Sequence, residues 1–355
     1  MSTNKSTWKK LTSMRLFMPL VCLLAIIIVA TITIPGFLSM SLKNGVPYGY
    51  PVDVINRASE LVILSVGMTL VTAASGGQDI SVGAVMAVAG AVCCQILSGG
   101  EVSVNSLSAP IIVAFLAALV ASGICGAFNG FLVAKLNIQP MVATLILYTA
   151  GRGIAQLITD GQITYIRVKS YQVFGSYVGK FPIPMPVVIA IIVVIIAYVI
   201  LKKTALGLYI ESVGINGTAS RLVGLNSTMI KFLTYLICGV LAGVAGFVAS
   251  SRIYSADANN IGLNLEMDAI LAVALGGNAL SGGKFNMTAS VIGAYVIQCL
   301  TTTLYKFNVQ SDALPAYKAV VVIVLVVMSA PGMKDFIAGI KKKIAPKKHD
   351  VKEVG

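Results

Sequence analysis

Ten runs of mostly apolar residues constrain this chain more than any other feature: Leu16–Ile34, Glu60–Ser75, Val82–Leu97, Ala109–Val133, Pro140–Ile158, Ile183–Leu201, Phe232–Ser250, Met267–Leu280, Met287–Leu304 and Pro315–Ala330. A helix needs about 20 such residues to cross a hydrocarbon layer about 30 Å thick, because its backbone polar groups find no water there. The runs at Val82 and Met267 are short by that measure. With 57% apolar residues, 11% charged residues and a mean hydropathy of +0.90, the chain cannot be a water-soluble globule of average make-up. The expected fold is all-α, a polytopic membrane protein with about ten transmembrane helices in a single domain over residues 1–355.

Charge placement sets the expected orientation. If the N-terminus is cytosolic and the sides alternate, Lys5, Lys9, Lys10, Arg15, Lys135, Lys202, Lys203, Arg221, Lys231, Lys284 and the lysines from Lys334 onward all fall inside. The positive-inside rule then puts both termini in the cytosol, with a basic entry at 10–15, a cytosolic loop at 202–231 and a basic tail at 334–355. Residues Thr159–Pro182 fit less well, since Arg167, Lys169 and Lys180 fall outside. The net charge of +13 is therefore a topology signal, and no nucleic-acid partner is expected, because basic residues are not gathered on a soluble surface with aromatic partners. No small-x-small cleavage site follows the first apolar run, which reads as a retained span. All six cysteines lie in apolar runs and read as packed thiols.

The polar interruptions narrow the chemistry. Gly76, Gly77, Gln78, Asp79, Ser81 and Gly83 break an apolar stretch. Asp79 and Ser81 there must face protein or water, and water access is the expectation for Asp79; a plain interhelical turn capped by Asp79 is the other reading. Gly123, Gly126 and Gly130, and Gly239, Gly243 and Gly246, suit close helix packing. Asn129, Gln139, Thr144, Arg152, Gln156 and Gln298 could line a hydroxyl-binding path or bridge helices. Gly282-Gly283-Lys284 is glycine-rich like a phosphate loop, but the spacing is wrong and Phe285 stands where Ser or Thr is required. The one histidine, His349, lies in the basic tail, which excludes HExxH and Ser-His-Asp chemistry. No catalytic residue, metal ligand or cofactor is expected, and ATP, if used, must be bound by a separate chain.

Between Lys202 and Lys231 the sequence looks built for specific contact. Asn216 can cap a short helix over Gly217 to Val223, and Gly224 can close it in the left-handed conformation. Ala219, Leu222 and Val223 then share a face that a two-turn helix outside the bilayer would use to dock in a partner's groove.

Four runs carry a family resemblance: Gly76–Ala91, Asn129–Gln162, Glu211–Leu225 and Ala274–Phe285. From about Val52 to Met333 the chain resembles the permease subunits of carbohydrate ABC importers, in the ribose, galactofuranose, xylose and fructose branch of the branched-chain amino-acid and ribose permease family. The resemblance implies ten helices around a pathway at a dimer interface in the cytoplasmic membrane. The implied partners are an ATP-binding ABC subunit, a second permease that is homologous or identical, and an extracellular sugar-binding protein. It implies coupling to the ATPase by Glu211, Gly214, Asn216, Ala219, Arg221 and Gly224, and a signature near the pathway at Gly76, Gly77, Asp79, Ser81 and Gly83. Asn129, Gln139, Thr144 and Gln298 are the candidate pathway residues. Here Gly-Ile-Asn stands where the family commonly has Gly-Gly-Asn, and Val223 replaces a usual small polar residue, which bears on the choice of partner. An ion-coupled secondary sugar transporter is the alternative; such proteins place carboxylates within spans, whereas Glu60, Asp79, Glu266 and Asp268 all fall at span ends.

Overall fold

A computed structural model describes residues 16–43 and 45–329. The basic stretch at 10–15 and the tail at 334–355, with His349, lie outside the described residues. Twelve helices organise the described chain: α1 (Phe17–Thr33), α2 (Tyr50–Ser75), α3 (Val82–Ser98), α4 (Ile111–Gly130), α5 (Pro140–Ile158), α6 (Met185–Lys203), α7 (Leu206–Ile215), α8 (Gly217–Leu222), α9 (Ser227–Ile253), α10 (Leu265–Leu275), α11 (Met287–Lys306) and α12 (Leu314–Ser329).

The layout is inverted relative to a water-soluble bundle: the most apolar helices, α4 and α6, are among the least buried, and the less apolar α2 is the most enclosed. α2 and α9 are the central pair: α2 is buried on every face from Leu61 to Ala74, and α9 packs on α2, α3 and α4. The glycines of α4 and α9 meet each other. A Cβ on Gly126 would lie 2.5 Å from the Tyr235 carbonyl, and one on Gly239 would lie 2.7 Å from Gly126 Cα. Close backbone approach of this kind supplies packing where lipid removes the hydrophobic drive between helices. α4, α5 and α6 expose rows of Leu, Ile and Val, as lipid-facing or subunit-facing helices do.

Among the described residues, six helices are long and apolar enough to cross a membrane: Tyr50–Ser75, α4 continued through a π-helical turn as Ile111–Lys135, Pro140–Ile158, Met185–Lys203, Ser227–Ile253 and Met287–Lys306. Four shorter apolar helices accompany them, α1, α3, α7 and α12. The chain is thus a mostly helical polytopic membrane protein, with two small sheets that the all-α expectation did not include. Strands β1 (Ser41–Lys43) and β2 (Val46–Tyr48) form a hairpin. Strands β3 (Ser103–Val104), β4 (Thr164–Ile166) and β5 (Ser255–Ala256) join three loops from one end of the bundle, β4 pairing parallel to β3 and antiparallel to β5.

That sheet explains Thr159–Pro182, the stretch that fitted the charge rule least. Its Tyr171 is fully buried; the hydroxyl hydrogen-bonds with Ser250 Oγ at 2.6 Å, and Ser251 Oγ donates to the Tyr171 carbonyl at 2.6 Å. Phe115, Tyr171 and Phe174 pack edge-on around Phe247, with centroids 4.8–5.8 Å away. The segment is a structured lid on α9.

Three helix limits differ from the hydropathy reading by five residues or more, α9 beginning at Ser227 where the apolar run begins at Phe232. α2 begins ten residues earlier than the apolar run, at Tyr50, since its first turns carry Asp53, Arg57 and Glu60 on a wall that lines a polar cavity. α10 stops at Leu275, because Gly276 to Asn286 form turns that close α10 onto α11.

Candidate functional site

The break between α2 and α3 is built from the C-cap of one helix and an Asx turn into the next. Gly76 ends α2 in the left-handed region, φ +65°, donating to the Thr72 carbonyl at 3.0 Å. Three residues on, Asp79 Oδ1 accepts from the Ser81 backbone at 2.9 Å and from Ser81 Oγ at 2.6 Å. Asn129, on the last turn of α4 before the π-helical stretch Phe131–Lys135, donates to Ser81 Oγ at 2.8 Å and to Asp79 Oδ1 at 3.4 Å. Thr144 of α5 accepts from the Ile80 backbone at 3.2 Å. The break is therefore held by side chains from α4 and α5.

Asp79, Ser81, Asn129 and Thr144 are each no more than 2% exposed. Water access was the expectation for Asp79; its neighbours are protein groups, which supply the hydrogen bonds that make a buried carboxylate tolerable. Gly77 and Gly83 are there for close approach: a Cβ on Gly77 would run into the Pro140 ring, and one on Gly83 into the Glu266 carboxylate and the Gly262 carbonyl. Of the four candidate pathway residues, Asn129 and Thr144 thus join the signature. Gln139 is exposed at the N-terminus of α5, and Gln298 lines a separate cavity at the far end of α11.

A second set of glycines joins this break to the 202–231 segment. The Ala73 carbonyl, in the last turn of α2, has no partner in its own helix and accepts from Gly283 N at 2.9 Å. Gly214 of α7 packs directly on that contact, so that an added Cβ would strike the Ala73 carbonyl and lie 2.6 Å from Gly283 N. A Cβ on Gly76 would lie 2.6 Å from the Ser281 carbonyl. The glycine-rich turn at Ser281–Gly283 therefore touches α7 on one side and Gly76 on the other. Asn278 fixes this turn by donating to Ser290 Oγ at 2.7 Å and accepting from Asn286 N at 2.6 Å.

Beyond Gly214 the segment turns outward. Asn216 caps α8, accepting from Thr218 N at 3.1 Å and Ala219 N at 2.9 Å, and Gly224 follows it at φ +87°. Ala219 is exposed, as are Leu222 and Val223 at 86% and 77%. Arg221 turns back to the start of α9, donating to Ser227 Oγ at 2.5 Å and Thr228 Oγ1 at 3.2 Å. Glu211 is half-buried on α7. Of the six coupling candidates, Gly214 thus faces inward, Asn216, Arg221 and Gly224 shape the α8 hairpin, and Ala219 lies on its open side.

Three further polar contacts tie elements together: Arg152 takes the bridging role that the sequence left open for it, and the other two escaped the sequence reading. Arg152 of α5 donates through Nη1 to the carbonyls of Ala258, Asn259 and Ile261 at 2.9–3.1 Å, tying α5 to the loop before α10. Lys318 of α12 pairs with Asp268 of α10 at 2.7 Å, both buried. Arg252 of α9 meets Glu60 of α2 at 3.3 Å. A basic residue inside an apolar run was the available signal for Lys318, but the position of its partner was not legible.

The Asp79 network yields a prediction. Asp79→Leu leaves the Ser81 N–H and the Ser81 hydroxyl without their acceptor, at about 1–3 kcal/mol for each buried unsatisfied group. It should lower thermal stability and abolish uptake. Asp79→Asn keeps one acceptor oxygen and should insert normally with reduced uptake. Unchanged melting and uptake in both variants would leave Asp79 no role beyond that of a replaceable turn residue.

The chain belongs to the family described as branched-chain amino acid transport system / permease component, whose model matches residues 50–330. It is accordingly a multi-pass membrane protein. It is 43% identical to the galactofuranose transporter permease protein YtfT of Escherichia coli K12, over 91% of this chain and 92% of that one. Identity is 39% with the fructose import permease protein FruF of Bifidobacterium longum, over 96% of this chain and 94% of that one. With the ribose import permease protein RbsC of Escherichia coli K12 it is 35%, over 87% and 92%. No solved structure matches the chain.

Proposed function

We propose that this chain is the membrane-spanning permease subunit of an ATP-driven importer for a monosaccharide of the galactofuranose, fructose, ribose or xylose class. The observation that carries the reading is similarity along nearly the whole chain to permeases named for three such sugars. It acts with an ATP-binding ABC subunit, a second permease and an extracellular sugar-binding protein. The buried carboxylates Asp79, Glu266 and Asp268 do not sit in water at span ends, so carboxylate position alone would not separate this reading from an ion-coupled transporter. Family membership favours the ABC reading.

On this reading the ten spans are α1 to α6 and α9 to α12, with α10 completed by the turns up to Asn286, and both termini lie in the cytosol. The 202–231 segment then faces the cytosol, and the apolar Leu222 and Val223 face of α8 docks in a groove of the ATPase. What supports this is the exposure of that face on a helix too short to be stable unaided.

Ala219→Glu tests the docking. A charge brought into a helix–groove contact is buried without a partner and costs several kcal/mol, of order 3–5. In the purified complex, sugar-stimulated ATPase activity and uptake should fall together by at least about tenfold, the change that 1.4 kcal/mol produces, while the permease still inserts. Unaltered stimulation and uptake would make the segment an ordinary loop. The chain alone in vesicles should accumulate no sugar, and uphill uptake driven by a proton or sodium gradient would turn the assignment to a secondary transporter.

A further inference from the structure

A polar cavity of about 570 Å³ opens between the N-terminal turns of α2, the C-terminal ends of α9 and α11, and the loop before α10. It lies at the end of the bundle that carries the three-stranded sheet, away from the 202–231 segment, since β5 follows directly on the end of α9. Its size is within the range of about 300–1,000 Å³ usual for small-molecule sites. The contrast with two other cavities is chemical. One, against α4 and α9, is lined by aliphatic side chains and glycine, and the other, around Phe115 and Phe247, by apolar side chains alone.

The cavity wall is graded from a fixed floor to an open mouth. At the floor, Glu60 Oε1 and Arg252 Nε face each other at 3.3 Å, and neither atom has a hydrogen-bond partner although both are buried. Arg252 is oriented by its second donor, Nη2, which reaches the Asn56 carbonyl at 2.8 Å. On the α11 wall Gln298 and Thr302 lie one turn apart, Nε2 to Oγ1 3.3 Å, with Thr301 beside them. At the mouth Tyr305 is half exposed, and Lys306 sits over the Tyr50 ring at 4.6 Å, the ring being stacked on Phe37. The opposite wall, Asn260 to Leu263, is held by Arg152 through the Ile261 carbonyl.

We propose that this cavity, inside a single protomer, is a binding site for a neutral monosaccharide on the outer side of the permease. It rests on the importer reading above. Acceptors and donors alternate around it, and its acidic and basic side chains, Asp53 and Glu60 against Arg57, Arg252 and Lys306, nearly balance. A polyhydroxyl ligand uses both kinds of group at once and brings no charge to be compensated, whereas an apolar ligand would strand the amide and hydroxyls of Gln298, Thr301 and Thr302. Gln298, about two helical turns below the mouth, sets the hydroxyl contacts on the α11 side.

The test uses the full-length chain with Thr301→Cys in right-side-out vesicles, treated with a membrane-impermeant thiol reagent. Five native cysteines are buried and the sixth, Cys125, lies on α4, so background labelling is low. D-fructose, D-ribose and D-galactose are the probes, with ribose 5-phosphate as the charged comparison. At least one neutral sugar should slow labelling about threefold, the protection expected when it is present at about twice its Kd. Gln298→Ala in the same background should remove that protection. If none of the neutral sugars slows labelling, if the phosphate protects as well as they do, or if Gln298→Ala leaves protection intact, the assignment is overturned. ATP-driven uptake by the complete complex, measured separately, distinguishes the two readings: uptake without protection rejects the cavity alone, and absent uptake with protection rejects the importer reading alone.

Discussion

Gly214→Ala should abolish coupled uptake and lower the melting temperature of the complex, whereas Gly153→Ala should be neutral or slightly stabilising. Two opposed effects decide the first case. Alanine in a helix interior is favoured over glycine by about 0.8–1.0 kcal/mol, so an unobstructed replacement on a helix should stabilise. At Gly153 nothing lies within 4 Å of the added Cβ, and only the propensity acts. At Gly214 the methyl would strike the Ala73 carbonyl and crowd Gly283 N, the two partners of one hydrogen bond, and neither is the flexible end of a side chain. Overpacking against rigid atoms costs about 1–3 kcal/mol and sometimes more, and loss of the Gly283 to Ala73 bond adds about 1 kcal/mol. The propensity term loses. α7 is pushed off α2, and the contact that links the 202–231 segment to Gly76 and the Asp79 break opens. Thermal unfolding and ATP-driven uptake measured on both variants check this. Normal uptake by Gly214→Ala would mean that α7 does not act on α2 through this contact.

Lys318→Met should destabilise the permease by about 3–5 kcal/mol, the cost of leaving a buried carboxylate without its cation. Lys318 donates to both oxygens of Asp268, at 2.8 and 2.7 Å, and each residue is 7% exposed. An exposed pair would contribute only about 0–1 kcal/mol, so the size of the loss reports the burial. The double variant Asp268→Leu with Lys318→Met removes both charges and should recover most of the stability. Melting in detergent of the single and double variants gives the comparison. Equal losses in the two would show that packing of the Lys318 chain, and not its charge, holds α12 to α10.

The class of protein was legible because the solvent writes it into composition: apolar runs near twenty residues have one stable use, and the 202–231 helix announced itself through Asn216 and Gly224, which act on their own backbone neighbours. Each such signal needs only a few adjacent residues. The α2 start was misread for the same reason, since Asp53, Arg57 and Glu60 look like an end to a span until the cavity they face is in place.

What the sequence by itself determined was the membrane class, most helix positions, the local caps and the family resemblance, all of which depend on near neighbours or on matched order. Only the tertiary structure decided that Asp79 is enclosed by Ser81 and Asn129, that Gly214 rests on the Ala73 to Gly283 bond, and that Lys318 finds Asp268 fifty residues away. Glycine, asparagine and lysine each suit many roles, and which one is used depends on the group that packing brings within about 3 Å, the range over which a hydrogen bond forms.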